Sequence, residues 1–260
     1  MNLNTYAQKT WCPGCGNFGI ENAFKKALIE LEKEGLNLKK IVIITGIGCH
    51  GKIADYLNLN SFYSLHGRTI PVATGIKLAN KNLIPICFAG DGDIYSEGLE
   101  HLIFAAKRNS NIKVFVHNNR VFSLTTGQFT PTSPKGFISK SSPKGSVEKP
   151  INPIELMIAC DASFVARGYV GQIEHLKELM KKAIQNNGFS FIDILQPCIV
   201  YFNTYEIYNK FVYQLEKENH NFTNYELALK KAREWDYQNA GRIPIGVFYQ
   251  SLRPTFEENV

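Results

Sequence analysis

The sequence predicts an α/β protein with a parallel sheet and helices on both faces. Three observations lead there. Continuous apolar runs such as Ile41-Val42-Ile43-Ile44 suit strands buried on both sides. Turn residues follow each run and amphipathic helix patterns separate them, the repeated β-turn-α order of a parallel sheet. At 260 residues, with 44% hydrophobic and 20% charged residues, the chain suffices for one full core and is ordinary for a globular protein.

The elements follow in order. Residues 17–35 read as a helix, with Asn17 as cap, Ala23, Phe24, Ala27, Leu28 and Leu31 as apolar stripe, and Gly35 as stop. The first strand, 40–45, runs into Gly46-Ile47-Gly48. Pro71 opens a short helix through Lys81, because its missing N–H costs nothing in a first turn. A second buried strand, 83–89, delivers Gly90-Asp91-Gly92-Asp93. Ser96 then caps a helix ending near Arg108. A third strand, 113–116, leads into His117-Asn118-Asn119-Arg120. Residues 127–153 break the pattern with five prolines and four lysines. They read either as a solvated surface loop or as a lid or docking loop. Helix 153–160, strand 164–169, helix 173–187 and strand 189–195 complete the sheet. The tail from 201 carries a helix pattern at 224–236 and an apolar segment at 243–249, expected to wrap the domain or pack on a partner.

The net charge of +6 is modest and the lysines are scattered, so nucleic-acid binding is not expected. A basic face suits an acidic partner or anionic substrates instead. No apolar run approaches the ~20 residues that span a bilayer, so no membrane partner is expected. The polar start, MNLNTYAQKTW, lacks a signal-peptide core. Six cysteines are too few for a disulfide scaffold in a chain this long. The expectation is a reducing cytoplasm, where paired thiols more often hold metal.

Four cysteines and one acidic turn carry the chemistry. Cys12-Pro13-Gly14-Cys15 lets two sulfurs face one metal. No strand precedes it, as a thioredoxin-like site would require, and no second C-x-x-C follows for a zinc ribbon. Cys49 and Cys198 each follow a buried strand. Parallel strands end on one sheet edge, where the N-terminal loop can join both in a four-cysteine set. Spacing alone leaves iron–sulfur, zinc and no metal open. Cys87, inside a strand, and Cys160, ending a helix, read as packing residues. Gly46 to Gly51 also matches G-x-G-x-x-G, but no strand ends in an acidic residue about 20 positions on, as ribose binding requires.

Asp91 and Asn119 follow successive strands. Their side chains with one loop carbonyl form half an octahedron for Mg²⁺, with diphosphate and water supplying the rest. The alternative is a pair of ordinary turns. His66, in Leu65-His66-Gly67-Arg68, reads as a structural hydrogen-bond partner or as a diphosphate or proton-transfer residue. His101 and His117 have no comparable case.

Together these residues resemble the β subunit of 2-oxoacid:ferredoxin oxidoreductases. Gly90-Asp91-Gly92 through Asn118-Asn119 is similar to the thiamine diphosphate motif. Trp11 to Asn17, Gly46 to Cys49, Leu65 to Arg68, Phe164 to Tyr169, Leu195 to Cys198 and Ile243 to Gln250 make the resemblance specific and extend it over nearly the whole chain.

The resemblance implies a thiamine diphosphate-binding fold. Residues 1–200 would form the thiamine diphosphate and magnesium domain with an N-terminal cluster loop, and 201–260 a C-terminal extension. It implies one [4Fe–4S] cluster on Cys12, Cys15, Cys49 and Cys198. Mg²⁺ would sit on Asp91, Asn119 and the Val121 carbonyl. Ile47, Gly48, Cys49, His50, His66, Gly90, Asp91, Gly92, Ser123 and Leu124 would line the cofactor, with His66 the one candidate catalytic residue. His50 departs from the small residue expected after this cysteine, and Thr126 stands where some relatives carry lysine.

The implied activity is coenzyme A-dependent oxidative decarboxylation of a 2-oxoacid, with electrons passed to ferredoxin. Such enzymes need a glutamate on the aminopyrimidine ring. Glu21, Glu97 and Glu100 read as solvated helix-face charges, so an α (or α/γ) partner subunit is expected to supply it. A non-oxidative thiamine-dependent decarboxylase or lyase and a non-catalytic electron-transfer subunit are the alternative readings.

Overall fold

The computed structural model describes residues 2–260. The first half contains α1 (Asn17–Lys33), β1 (Ile41–Thr45), α2 (Ile53–Tyr56), β2 (Asn60–Tyr63), α3 (Thr69–Ala79), β3 (Ile84–Gly90), α4 (Leu99–Arg108) and β4 (Lys113–Asn118). A small hairpin follows, β5 (Val121–Phe122) with β6 (Gln128–Phe129). The rest comprises α5 (Pro153–Ala159), β7 (Phe164–Tyr169), α6 (Ile173–Gln185), β8 (Ser190–Leu195), α7 (Tyr205–Phe211), β9 (Val212–Gln214), α8 (Tyr225–Ala232) and β10 (Ile243–Gln250).

Among the described residues the main sheet has eight strands, ordered β2-β1-β3-β4-β8-β7-β10-β9. The strands from β2 to β7 in that order are mutually parallel. Their carboxyl ends therefore share one edge, where ligands of open α/β sheets bind. Strand side chains alternate between two apolar layers: Ile86 and Phe88 pack with α1 and α6, Cys87 and Ala89 with α3, α4, α5 and α8. No helix among the described residues is long and apolar enough to cross a membrane.

Several sequence expectations need correction. Asn17 does not cap α1: Gly16 takes that position, and the Asn17 amide oxygen instead meets His117 Nδ1 at 2.8 Å. α3 begins at Thr69, so Pro71 lies inside its first turn rather than opening it. Ser96 caps nothing. Asp93 stays buried to accept the Gly67 N–H at 2.7 Å, and a wide turn over Asp93–Glu97 carries the chain out before Gly98 caps α4. Glu21 is not solvated. It is buried in ion pairs with Lys9 (2.6 Å) and Lys25.

The tail contributes to the sheet itself. The apolar 243–249 segment forms β10, antiparallel to β7, with β9 on its outer side. Tyr208, Trp235, Tyr237 and Phe248 enter the two core layers.

Candidate active site

The two chemical motifs meet at the carboxyl edge of the sheet. β3 and β4 are adjacent, with Gly90 in register with His117, so Asp91 and Asn119 emerge side by side. A cleft of about 470 Å³ opens above them. Every residue expected to touch a cofactor or magnesium lines it: Ile47, Gly48, Cys49, His50, His66, Gly90, Asp91, Gly92, Asn119, Val121, Ser123 and Leu124. Gly90 is required by close approach, because a Cβ there would lie 2.7 Å from His50 Nδ1.

Asp91 is buried, with its Oδ2 3.0 Å from the Thr132 hydroxyl. Burial pushes its carboxyl up to about 6, against the Thr130 and Thr132 hydroxyls. Asn119 folds its own loop: its Oδ1 accepts from Val121 N at 3.1 Å and its Nδ2 donates to Ser123 Oγ at 3.2 Å. Arg120, between them, takes a left-handed conformation with φ 63°.

Asp93 was not singled out by the sequence, yet it organises one wall. Its Oδ2 is 3.4 Å from His50 Nε2, and its Oδ1 is 3.4 Å from His66 Nδ1. Glu97 approaches the same His66 nitrogen at 3.1 Å. His117, for which the sequence made no case, lines the cleft too, as do Phe122, Thr125 and Gln196. Burial holds the His117 imidazole well below its ordinary pKa, and His50 adds to this. The available signals were weak: Asp93 completes the Gly-Asp-Gly-Asp turn, and Gln196 precedes Pro197-Cys198. His101 lies outside the cleft, beside Glu100, and none of Glu21, Glu97 and Glu100 lines it.

His117 Nε2 and Gln196 Oε1 are buried without a hydrogen-bond partner. Buried polar atoms are rarely left so, and two orphaned beside one cleft fit a polar ligand.

Cys12, Cys15, Cys49 and Cys198 line a second cavity of about 460 Å³. Cys49, Asn119, Ser123 and Gln196 line both cavities and so form the wall between them. Pro13 and Gly14 (φ 80°) turn the N-terminal loop, and Cys15 N donates to Cys12 O at 3.0 Å. Proline followed by a positive-φ glycine suits a type II turn. Trp11 pins this loop, its Nε1 donating to Cys49 O at 2.7 Å while its ring packs edge-on to Tyr56 and Phe18. Burial pushes the Cys15 thiol up to about 11, with the Cys198, Cys49 and Cys12 thiols adding. All six cysteines are free. Among the described residues, no three His, Cys, Asp or Glu side chains gather as a single-ion site does. The four cysteines line one cavity instead. Cys87 is fully buried in the core and Cys160 half-buried against it, away from both cavities.

The 127–153 stretch is not wholly solvated. Thr130, Thr132 and Ser133 are buried behind Asp91, whereas Lys135, Lys140, Lys144 and Lys149 are exposed.

Two family models match the chain. The C-terminal TPP-binding domain of thiamine pyrophosphate enzymes covers residues 46–194, and the C-terminal region of the pyruvate ferredoxin oxidoreductase β subunit covers 198–260. A Sulfolobus 2-oxoacid:ferredoxin oxidoreductase subunit beta is 43% identical over 265 residues, 96% of this chain and 85% of the relative. Subunit beta of 2-oxoacid:ferredoxin oxidoreductase 1 from Aeropyrum pernix is 41% identical over 272 residues, 100% and 83% of the two chains. Among solved structures, 2-oxoglutarate:ferredoxin oxidoreductase from Magnetococcus marinus, with 2-oxoglutarate, coenzyme A and succinyl-CoA bound, superposes with a TM-score of 0.93. It is 32% identical, and the match covers 99% of this chain and 87% of that one.

Proposed function

Because this chain belongs to the β-subunit family of 2-oxoacid:ferredoxin oxidoreductases, we propose how its two cavities divide the reaction. The chain is the thiamine diphosphate-binding β subunit of an enzyme that oxidatively decarboxylates a 2-oxoacid. In our reading Asp91 and Asn119 hold Mg²⁺ by their side chains and Val121 by its carbonyl. The four cysteines hold one [4Fe–4S] cluster, and coenzyme A accepts the acyl group. The observation that carries this reading is the shared wall: the cleft above the Gly-Asp-Gly turn touches the cavity of four cysteines at Cys49, Asn119, Ser123 and Gln196.

The residues fit the groups. A buried carboxylate beside an amide oxygen suits a hard cation, and four free thiols around one space suit iron–sulfur. Thiamine diphosphate would supply the nucleophilic carbon and electron sink, and the cluster one-electron acceptance. The protein's part is positioning. Asp93 lies 3.4 Å from both His50 and His66, and all three side chains line the cleft. His66, about one-third exposed, is the side chain we assign to a diphosphate contact or proton transfer. Trp11 holds the C-x-x-C loop against Cys49.

No glutamate among the described residues lines the cleft. An α (or α/γ) partner that provides the pyrimidine-binding domain is therefore part of the proposal, as is ferredoxin as acceptor. The division at residue 200 belongs to it as well; the two family models change over a few residues earlier, between 194 and 198.

The test is anaerobic co-purification with the α partner, followed by viologen reduction across several 2-oxoacids. A brown complex whose turnover needs thiamine diphosphate, Mg²⁺ and coenzyme A is expected. A colourless preparation, or full turnover by this chain alone, overturns the assignment.

A further inference from the structure

Thr132 lies in the proline- and lysine-rich stretch and belongs to none of the motifs, yet it is completely buried behind the proposed metal carboxylate. Its hydroxyl is 3.0 Å from Asp91 Oδ2 and 2.9 Å from Asn118 Oδ1. The Asn118 amide has one consistent orientation, because its Nδ2 donates to Asp193 Oδ1 at 2.9 Å, leaving its oxygen toward Thr132. Asp193 in turn accepts from Tyr95 at 2.8 Å and Tyr237 at 2.6 Å. The backbone around Thr132 is equally held: Arg120 Nε donates to the Thr132 carbonyl at 2.8 Å, and Ser133 Oγ donates to the Arg120 carbonyl at 2.6 Å. A second Arg120 nitrogen donates to the Tyr237 carbonyl. A side chain from the loop, an amide from β4 and a carboxylate from β8 thus form one chain that ends on Asp91.

We propose that Thr132 is a positioning residue for the magnesium site, holding the Asp91 carboxylate in one rotamer and tying it to the Asn118–Asp193 centre. The proposal rests on the magnesium assignment above. A hydroxyl is the group this place demands. It carries one proton and can donate to either acceptor, whereas a methyl of the same size donates to neither and leaves the Asp91 carboxylate with the Thr130 hydroxyl alone. Residues that orient a metal ligand without touching the ion typically change metal affinity 10- to 100-fold when replaced.

The experiment uses the assembled complex, stripped of cofactor and metal. Mg²⁺ is titrated at fixed thiamine diphosphate, and binding is followed by calorimetry. Thr132→Val is expected to raise the half-saturating Mg²⁺ about 10- to 100-fold. Thr132→Ser, which keeps the hydroxyl, should stay within about threefold of wild type. The kcat at saturating Mg²⁺ and the visible absorption of the complex should change little. If Thr132→Val fails to assemble, the same shift is required of Thr132→Ala. A Thr132→Val titration matching wild type refutes the proposal, as does a Thr132→Ser variant as weak as Thr132→Val. Asp91→Ala separates the two levels. If it binds the cofactor with an unchanged Mg²⁺ requirement, the magnesium assignment fails and takes this proposal with it. If it loses binding while Thr132→Val does not, only the role of Thr132 is refuted.

Discussion

Replacing Arg167 with methionine should destabilise the protein by about 3–5 kcal/mol, because it breaks a buried charged centre from one side only. Arg167 is fully buried on β7. It donates to the Pro244 carbonyl at 2.9 Å and the Tyr237 hydroxyl at 3.1 Å, and its Nε lies 4.0 Å from Asp193 Oδ2. The guanidinium also sits 5.0–5.1 Å from the rings of Trp235, Tyr237 and Phe248. Methionine fills the volume but removes the charge and both hydrogen bonds. At roughly 2–4 °C per kcal/mol for a chain of this size, the midpoint should fall by about 10 °C.

The pH dependence gives a sharper signature. Burial pushes the Asp193 carboxyl up from its ordinary 3.8, and Arg167 opposes that push. Without Arg167 the folded-state pKa rises further above the unfolded value. Such a group contributes stability below the unfolded pKa and loses it as pH climbs through the folded one. The gap between Arg167→Met and wild type should therefore be wider at pH 8 than at pH 5.5. The double variant Arg167→Met/Asp193→Asn should recover part of the loss. Thermal unfolding followed by circular dichroism measures all three. A loss under about 1 kcal/mol, or a gap that ignores pH, refutes the reasoning.

Two further outcomes follow from the packing. Gly90→Ala puts a methyl 2.7–2.9 Å from the ring of His50, a buried side chain that lines the cleft. Overpacking of this kind costs about 1–3 kcal/mol, so thiamine diphosphate affinity should fall about tenfold by calorimetry; unchanged affinity contradicts the geometry. Lys113 is buried among the Asn186 and Gly188 carbonyls and Asn111 Oδ1, and burial pushes its pKa down to about 7 from 10.5. The unfolded chain keeps a proton that the folded form gives up between pH 7 and 10.5, so stability carried by this group rises across that window. Lys113→Met should lower the midpoint by several degrees at pH 7 and flatten that slope, as thermal unfolding against pH would show.

The placement of the candidate site was legible because its signals are local. Gly90-Asp91-Gly92 and Asn118-Asn119 end apolar runs, and adjacent parallel strands bring such ends together. The turn at Pro13-Gly14 is written in two residues whose backbone preferences need no tertiary support. Where short-range chemistry had a long-range competitor, the reading failed. Asn17 has the side chain of a helix cap, but the structure gives its oxygen to His117, 100 residues away. Glu21 falls on a helix that looks half-solvated, but Lys9 reaches back from the N-terminal loop to cover it.

From the sequence alone came the parallel α/β architecture, the longer strands and helices of its first 195 residues and the four cysteines and two magnesium candidates, since hydrophobic period and turn chemistry act over a few residues; the short elements α2, β2, β5, β6, α7 and β9 were not legible. Packing alone decided that β10 joins the sheet, that Asp93 and His117 face the cleft, and that Thr132 stands behind Asp91. These depend on which strands become neighbours and which polar atoms lose water, and burial is a property of the assembled core, which no window along the chain contains.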